Sequence, residues 1–148
     1  TKIDFVKAIV KYARVFVSSE GDLPEELEKN RINIPTDRMH DVLHYSSLYF
    51  GESPTMTTES AILGTPAVCV SSWAHDNGTF RYLKNFGLIE SYKDFDDSTA
   101  SQKCIDWLRD DDIKEEWKSR REKMLLENID VSDYMVNFLE NALMIRNN

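Results

Sequence analysis

The stretch that most constrains the fold is Gly64-Thr65-Pro66-Ala67-Val68-Cys69-Val70-Ser71-Ser72. An unbroken apolar run this short, closed by turn residues on both sides, reads as a buried strand. Upstream, Leu48-Tyr49-Phe50-Gly51 is a second buried strand. Between them, Met56, Ala61, Ile62 and Leu63 followed by Gly64 mark a short helix closed by a C-terminal glycine. Downstream, residues 71–79 form a polar loop containing Asn77-Gly78, residues 80–86 a helix ended by Gly87, and Leu88-Ile89 a last short strand. Strands alternating with helices predict an α/β fold with a parallel, Rossmann-like sheet.

The flanks extend this pattern. Ile3, Phe5, Val6, Ile9, Val10 and Ala13 recur with helical spacing from the first residues, so a helix is expected to end near Ala13. Val15-Phe16-Val17 then reads as a strand closed by the turn cluster Ser18-Ser19-Glu20-Gly21-Asp22, and Ile32-Asn33-Ile34 as another, stopped by Pro35. A helix is predicted from Thr36 or Asp37 through Met39, Val42, Leu43 and Tyr45. From Ser98 the character changes to three successive amphipathic stripes. These are Cys104/Ile105/Leu108, Ile113/Trp117/Met124/Leu125 and Tyr134/Met135/Phe138/Leu139/Ala142. The expected organisation is an α/β region over residues 1–97 with C-terminal helices over 98–148 packing on the same domain. Asp112 with Glu115 resembles a capping box, and Asp130 or Ser132 can cap the last helix. Because an apolar helix begins at once after Thr1, the chain is expected to be a piece of a larger protein.

Charge narrows the possible partners. With 26 Asp+Glu against 18 Lys+Arg, a net charge of −8, nucleic acid is not an expected partner, since its binding requires clustered cations on phosphates. The basic run from Lys118 to Lys123 lies among acidic residues and reads as a solvated helix face. No apolar run approaches the roughly 20 residues that cross a bilayer, and no signal-peptide pattern opens the chain. No membrane span and a cytoplasmic location are therefore expected. Cys69 and Cys104 lack metal-ligand spacing and read as reduced core thiols.

The candidate chemistry lies in Glu52-Ser53-Pro54-Thr55-Met56-Thr57-Thr58-Glu59. Here a strand enters a hydroxyl-rich turn and a helix begins, which in a parallel sheet falls at the carboxyl edge where ligands bind. Free N–H groups and the positive end of the helix dipole suit an anion, with the Ser53, Thr55 and Thr57 hydroxyls as further donors. Glu59, one turn in, can accept hydrogen bonds from two adjacent sugar hydroxyls. The same residues also serve simply as a helix cap and a dipole-favouring first turn.

This run, continued through Ser60-Ala61-Ile62-Leu63-Gly64-Thr65-Pro66, resembles the nucleotide-diphosphate segment of the C-terminal lobe of GT-B glycosyltransferases and UDP-N-acetylglucosamine 2-epimerases. Those epimerases carry an acidic residue, Ser-Gly-Gly, three residues ending in Glu, and a helix closed by Leu-Gly-x-Pro. The resemblance implies diphosphate contacts at Ser53, Thr55 and Met56 and a ribose contact at Glu59. Pro54 and Thr55 stand where that segment has two glycines, and Pro54 removes one N–H donor. Most of the chain, from Val15-Phe16-Val17 through Ile32-Asn33-Ile34-Pro35 and Met39-His40-Asp41-Val42-Leu43 to Asp130-Val131-Ser132-Asp133-Tyr134-Met135-Val136, is similar to an uncharacterised prokaryotic glycosyltransferase-like family, DUF354. In the broader superfamily the segment matching Ile34 to Met39 approaches the base, so Ile34 and Met39 are implied base contacts.

By that resemblance the chain is the UDP-sugar-binding lobe of a glycosyltransferase of cell-surface polysaccharide synthesis, lacking the first βα unit of the lobe. The donor is a substrate, with no resident cofactor or metal implied. The acceptor and the catalytic base are implied on a missing N-terminal lobe of the same polypeptide, and little turnover is expected from these residues alone. The alternatives are a sugar-nucleotide 2-epimerase-like lobe and a non-catalytic α/β module that has lost its ligand.

Other constellations are weaker. His40 and His44, four apart with Asp37 and Asp41 nearby, could flank a metal, but without HExxH or a third ligand they read as surface residues. His75 is a possible substrate contact in the loop that follows the Val68-Cys69-Val70 strand. Ser18-Ser19 and Ser71-Ser72 each follow a strand outside any GxSxG elbow. Trp107 and Trp117 read as core or docking residues, and Trp73 as either a loop anchor or a stacking platform.

Overall fold

The computed structural model describes residues 1–73, 77–95 and 98–146. Its centre is a three-stranded parallel sheet in the order β1 (Tyr49–Gly51), β2 (Ala67–Val70), β3 (Ile89–Tyr92). Every residue of β2 is buried. A strand covered on both faces has no use for polar alternation, which is why it reads as a continuous apolar run. The predicted α/β class with a parallel sheet is what the structure contains.

Helices α1 (Lys2–Ile9), α2 (Glu25–Glu28) and α3 (Met39–Tyr45), with a 3₁₀ turn at Thr36–Arg38, precede β1. Helix α4 (Pro54–Ile62) joins β1 to β2, and α5 (Gly78–Asn85) joins β2 to β3. Strand period places Tyr49 and Cys69 on one face of the sheet and Phe50 on the other. Thr57 of α4 meets the Cys69 thiol on the first face. On the second, Phe5 of α1 stacks on Phe50 with ring centroids 3.6 Å apart. Both α4 and α5 end in the same way. Gly64 and Gly87 take positive φ (84° and 66°), and the N–H groups of Thr65 and Leu88 reach back to the carbonyls of Ser60 and Leu83. This is the Schellman closure that the two glycines permit.

Three helices follow, α6 (Ser98–Leu108), α7 (Ile113–Leu126) and α8 (Val131–Arg146). Cys104 and Trp107 of α6 and Ile113, Trp117 and Met124 of α7 join the core of the sheet. The two tryptophans meet edge to face at 4.6 Å, and Trp117 donates its indole N–H to the Leu88 carbonyl at 2.8 Å. Their core reading holds. Cys69 and Cys104 are free and buried. Among the described residues no helix is long and apolar enough to cross a membrane.

Several local expectations change. Helix α1 stops at Ile9 rather than near Ala13. The strands expected at Val15-Phe16-Val17 and Ile32-Asn33-Ile34 reduce to one parallel bridge, Val17 to Arg31. Val17 donates to the Asn30 carbonyl and Ile32 to the Val17 carbonyl, and Asn30 Nδ2 ties the Val15 carbonyl. Pro35, with no N–H, stops the second run before a ladder can lengthen. Asp112 makes no side-chain cap; Asp110 Oδ1 instead accepts from the Asp112 N–H. Asp130 caps α8 by accepting from Ser132 and Asp133. The stripe on α8 lies in water, with Phe138 61% exposed and Tyr134 58%.

The basic run is not simply a solvated face. Helices α3, α4 and α5 lead into the starts of β1, β2 and β3, so their C-terminal carbonyls gather at the amino edge of the sheet. There α7 meets all three with cations. Lys114 Nζ donates to the carbonyls of His44 (3.2 Å) and Ser46 (2.8 Å), Arg121 donates to the Ile62 carbonyl, and Arg120 donates to the Gly87 carbonyl at 2.6 Å. Carbonyls that the helix geometry leaves without donors are satisfied by groups carrying the charge the dipole favours.

Candidate functional site

The opposite, carboxyl edge of the sheet carries two clefts. The larger, about 460 Å³, lies at the first turns of α4 and α5 and is lined by Pro54, Thr55, Thr58, Glu59, Trp73, Asn77, Thr79 and Phe80. The second, about 340 Å³, lies beyond the strand ends among Glu52, Val70, Ser71, Ser72, Lys93, Asp94 and Phe95.

Local sequence explains the first cleft. Ser53 is the N-cap of α4, its Oγ accepting from the Met56 N–H at 3.3 Å, and Pro54 occupies the first helical position, where its fixed φ suits the turn. Asn77 caps α5 in the same manner, its Oδ1 accepting from the Thr79 N–H at 2.8 Å. Trp73 stands 71% exposed on the intervening loop.

The named candidates separate within this frame. Thr55 and Glu59 line the cleft. Ser53 and Met56 are engaged with each other in the cap, the Met56 N–H donating to Ser53 Oγ. Thr57, expected to face an anion, is fully buried and donates to the Ser53 carbonyl at 2.8 Å, because two positions along the helix turn it from the cleft to the sheet. Ile34 and Met39 are half-buried and line neither cleft. His75 falls outside the described residues. Ser71 and Ser72 line the smaller cleft, while Ser18 and Ser19 are exposed on the early loop.

His40 and His44 do not converge on a common point. They form two rungs from α3 to the parallel helix α4: His40 Nε2 lies 3.4 Å from Glu59 Oε2, and His44 Nδ1 lies 3.1 Å from the Leu63 carbonyl. The two rungs stand four residues apart on each side, His40 to His44 and Glu59 to Leu63, the spacing of one face. Among the described residues no group of three His, Cys, Asp or Glu gathers to hold a metal. Beside the smaller cleft, Lys2 of α1 pairs with Glu52 at 2.5 Å. Tyr49, beneath this edge, has its phenol pushed above the ordinary range by burial.

Among the described residues the cleft thus offers the N-terminal end of α4, hydroxyls at Thr55, Thr58 and Thr79, the Glu59 carboxylate and the exposed indole ring of Trp73. Helix geometry leaves the Thr55 N–H without an intrahelical acceptor. This set suits an elongated ligand with an anionic part, a hydroxylated ring and an apolar face. Comparisons with protein-family models, with curated proteins and with solved structures find no match for this chain.

Proposed function

We propose that the chain is a nucleotide-sugar-binding lobe, with a UDP-sugar as the ligand, and that it belongs to a glycosyltransferase of cell-surface polysaccharide synthesis. The observation that carries this reading is the juxtaposition of Thr55, Glu59 and Trp73 around one cleft at the carboxyl edge of a parallel sheet. The dipole end of α4 and the Thr55 N–H meet the diphosphate, Glu59 accepts from the ribose hydroxyls, and Trp73 packs on a ring. Ser53 and Met56 act at one remove, by fixing the first turn that presents these donors. The acceptor and the catalytic base lie, in this reading, on a second lobe across the carboxyl edge.

A specific observation favours the non-catalytic alternative. Pro54 lacks an N–H, and the Met56 N–H is already accepted by Ser53, so the turn presents fewer donors than a glycine-rich phosphate loop.

Titration with UDP and with UDP-N-acetylglucosamine, read by tryptophan fluorescence, separates the readings. Trp107 and Trp117 are buried, so a ligand-dependent signal reports Trp73. Binding is expected, and Glu59→Ala is expected to weaken it about tenfold, the equivalent of one charge-assisted hydrogen bond. A folded parent that binds neither compound at millimolar concentration refutes the proposal.

A further inference from the structure

We infer that His40 is a positioning residue for ribose recognition: from α3 it orients the Glu59 carboxylate toward the hydroxyls of a nucleoside diphosphate. This rests on the nucleotide reading of the cleft given above.

The two histidines differ in what they hold. His44 binds a backbone carbonyl, that of Leu63, and so locks α3 against the end of α4. One turn back along the same face, His40 meets a side chain, and among the described residues that side chain is the carboxylate lining the larger cleft. The backbone carrying His40 is fixed independently, because Thr65 Oγ1 donates to the Leu43 carbonyl at 2.8 Å and Lys114 binds the carbonyls that follow it. Glu59 is therefore approached by a group whose own position is set by the fold.

The chemistry suits a diol. A carboxylate has about four acceptor sites on two oxygens. His40 approaches Oε2, which leaves Oε1 and the second lone pair of Oε2 to accept from two adjacent hydroxyls. A free glutamate on a helix loses rotamer freedom when it binds, and a neighbour that restricts it beforehand reduces that loss. Glu59 is also the more covered partner, its side chain 35% exposed against 68% for His40. The imidazole thus acts from the solvent side, across the top of α4, without occupying the cleft.

The test compares UDP with 2′-deoxy-UDP by calorimetry on the whole chain. The ratio of the two affinities reports hydroxyl recognition and is insensitive to a uniform loss of binding. The parent is expected to prefer UDP about tenfold, one charge-assisted hydrogen bond. His40→Ala is expected to reduce the ratio to about threefold or less, and His40→Gln, whose amide N–H can reach the same carboxylate, to restore it. His44→Ala removes the other rung and is expected to keep the parental ratio. A parental ratio in His40→Ala, or an equal loss in His40→Gln, overturns the role of His40 while leaving the cleft reading intact. A parent that binds UDP without preferring it overturns both the ribose role of Glu59 and this inference. A parent that binds neither compound overturns the nucleotide reading itself.

Discussion

Lys114 offers the sharpest test of how the amino edge is held. Its ammonium donates to the Ser46 carbonyl at 2.8 Å, to Thr65 Oγ1 at 3.1 Å and to the His44 carbonyl at 3.2 Å. Partial burial holds its pKa below the ordinary lysine value, so part of what these bonds contribute is offset by desolvation. Lys114→Met keeps the methylene stem and removes the donor. Two part-buried acceptors, the Ser46 carbonyl and Thr65 Oγ1, then lose a charged partner, at about 1.5 kcal/mol each. Losing a cation at the end of α3 adds roughly 0.5 kcal/mol, and relief of the partial desolvation offsets part of the loss. The net expectation is a loss of about 2 kcal/mol, or roughly 6 °C in Tm for a chain of this size. Thermal melts followed by far-UV circular dichroism measure it. Lys118→Met on the same helix is the control, since among the described residues Lys118 pairs with exposed Glu115 at 3.7 Å and its loss should be within about 0.5 kcal/mol of zero. A Lys114→Met protein melting within a degree of the parent refutes the view that α7 cations satisfy the helix ends.

The two closing glycines make a graded pair. Gly87→Ala and Gly64→Ala both force a side chain into positive φ, at about 1–2 kcal/mol. A Cβ at Gly87 would also lie 3.0 Å from Arg120 Nη1, whereas at Gly64 the nearest atom is Arg121 Cδ at 3.5 Å; urea denaturation should therefore rank Gly87→Ala as the less stable. The Cys104 thiol is pushed up from 9.0 to about 12 by burial. The unfolded chain ionises there first, so stability should fall as pH rises from about 9 toward 12, by up to about 1.4 kcal/mol per unit. Cys104→Val should flatten that slope by one proton's share, with Cys69 and Tyr49 contributing in the same direction and Lys114, whose pKa is lowered, in the opposite one; an unchanged slope would refute the assignment.

The elements read correctly from sequence are those whose signal is local. The β2 run is bounded by Gly64-Thr65-Pro66 and Ser71-Ser72, and its burial on both faces needs no knowledge of what covers it. Ser53-Pro54 similarly announces the start of α4. Val15-Phe16-Val17 has strand composition too, but a ladder depends on a partner in register, and Pro35 limits the segment that bridges to it. Hydroxyl content alone could not separate Thr55 from Thr57; the phase of α4, fixed by the Ser53 cap, puts one in the cleft and the other in the core. The His40/His44 spacing was visible, yet its meaning depends on α3 lying parallel to α4, a relation between segments that no single stretch records. The same holds for Lys114, Arg120 and Arg121, whose carbonyl acceptors lie 33 to 70 positions away in the chain.

The cations on α7 also give the helix layer an electrical direction. Their charge faces the negative ends of α3, α4 and α5, and nothing comparable on α7 faces the positive ends at the opposite edge. On the proposed reading, a small anion is then admitted at one rim of a chain whose net charge of −8 disfavours polyanions. Attraction of this kind acts within about one helical turn and releases few counterions. Anion capture at that rim should accordingly change little with ionic strength, unlike capture by a surface cluster of lysines and arginines.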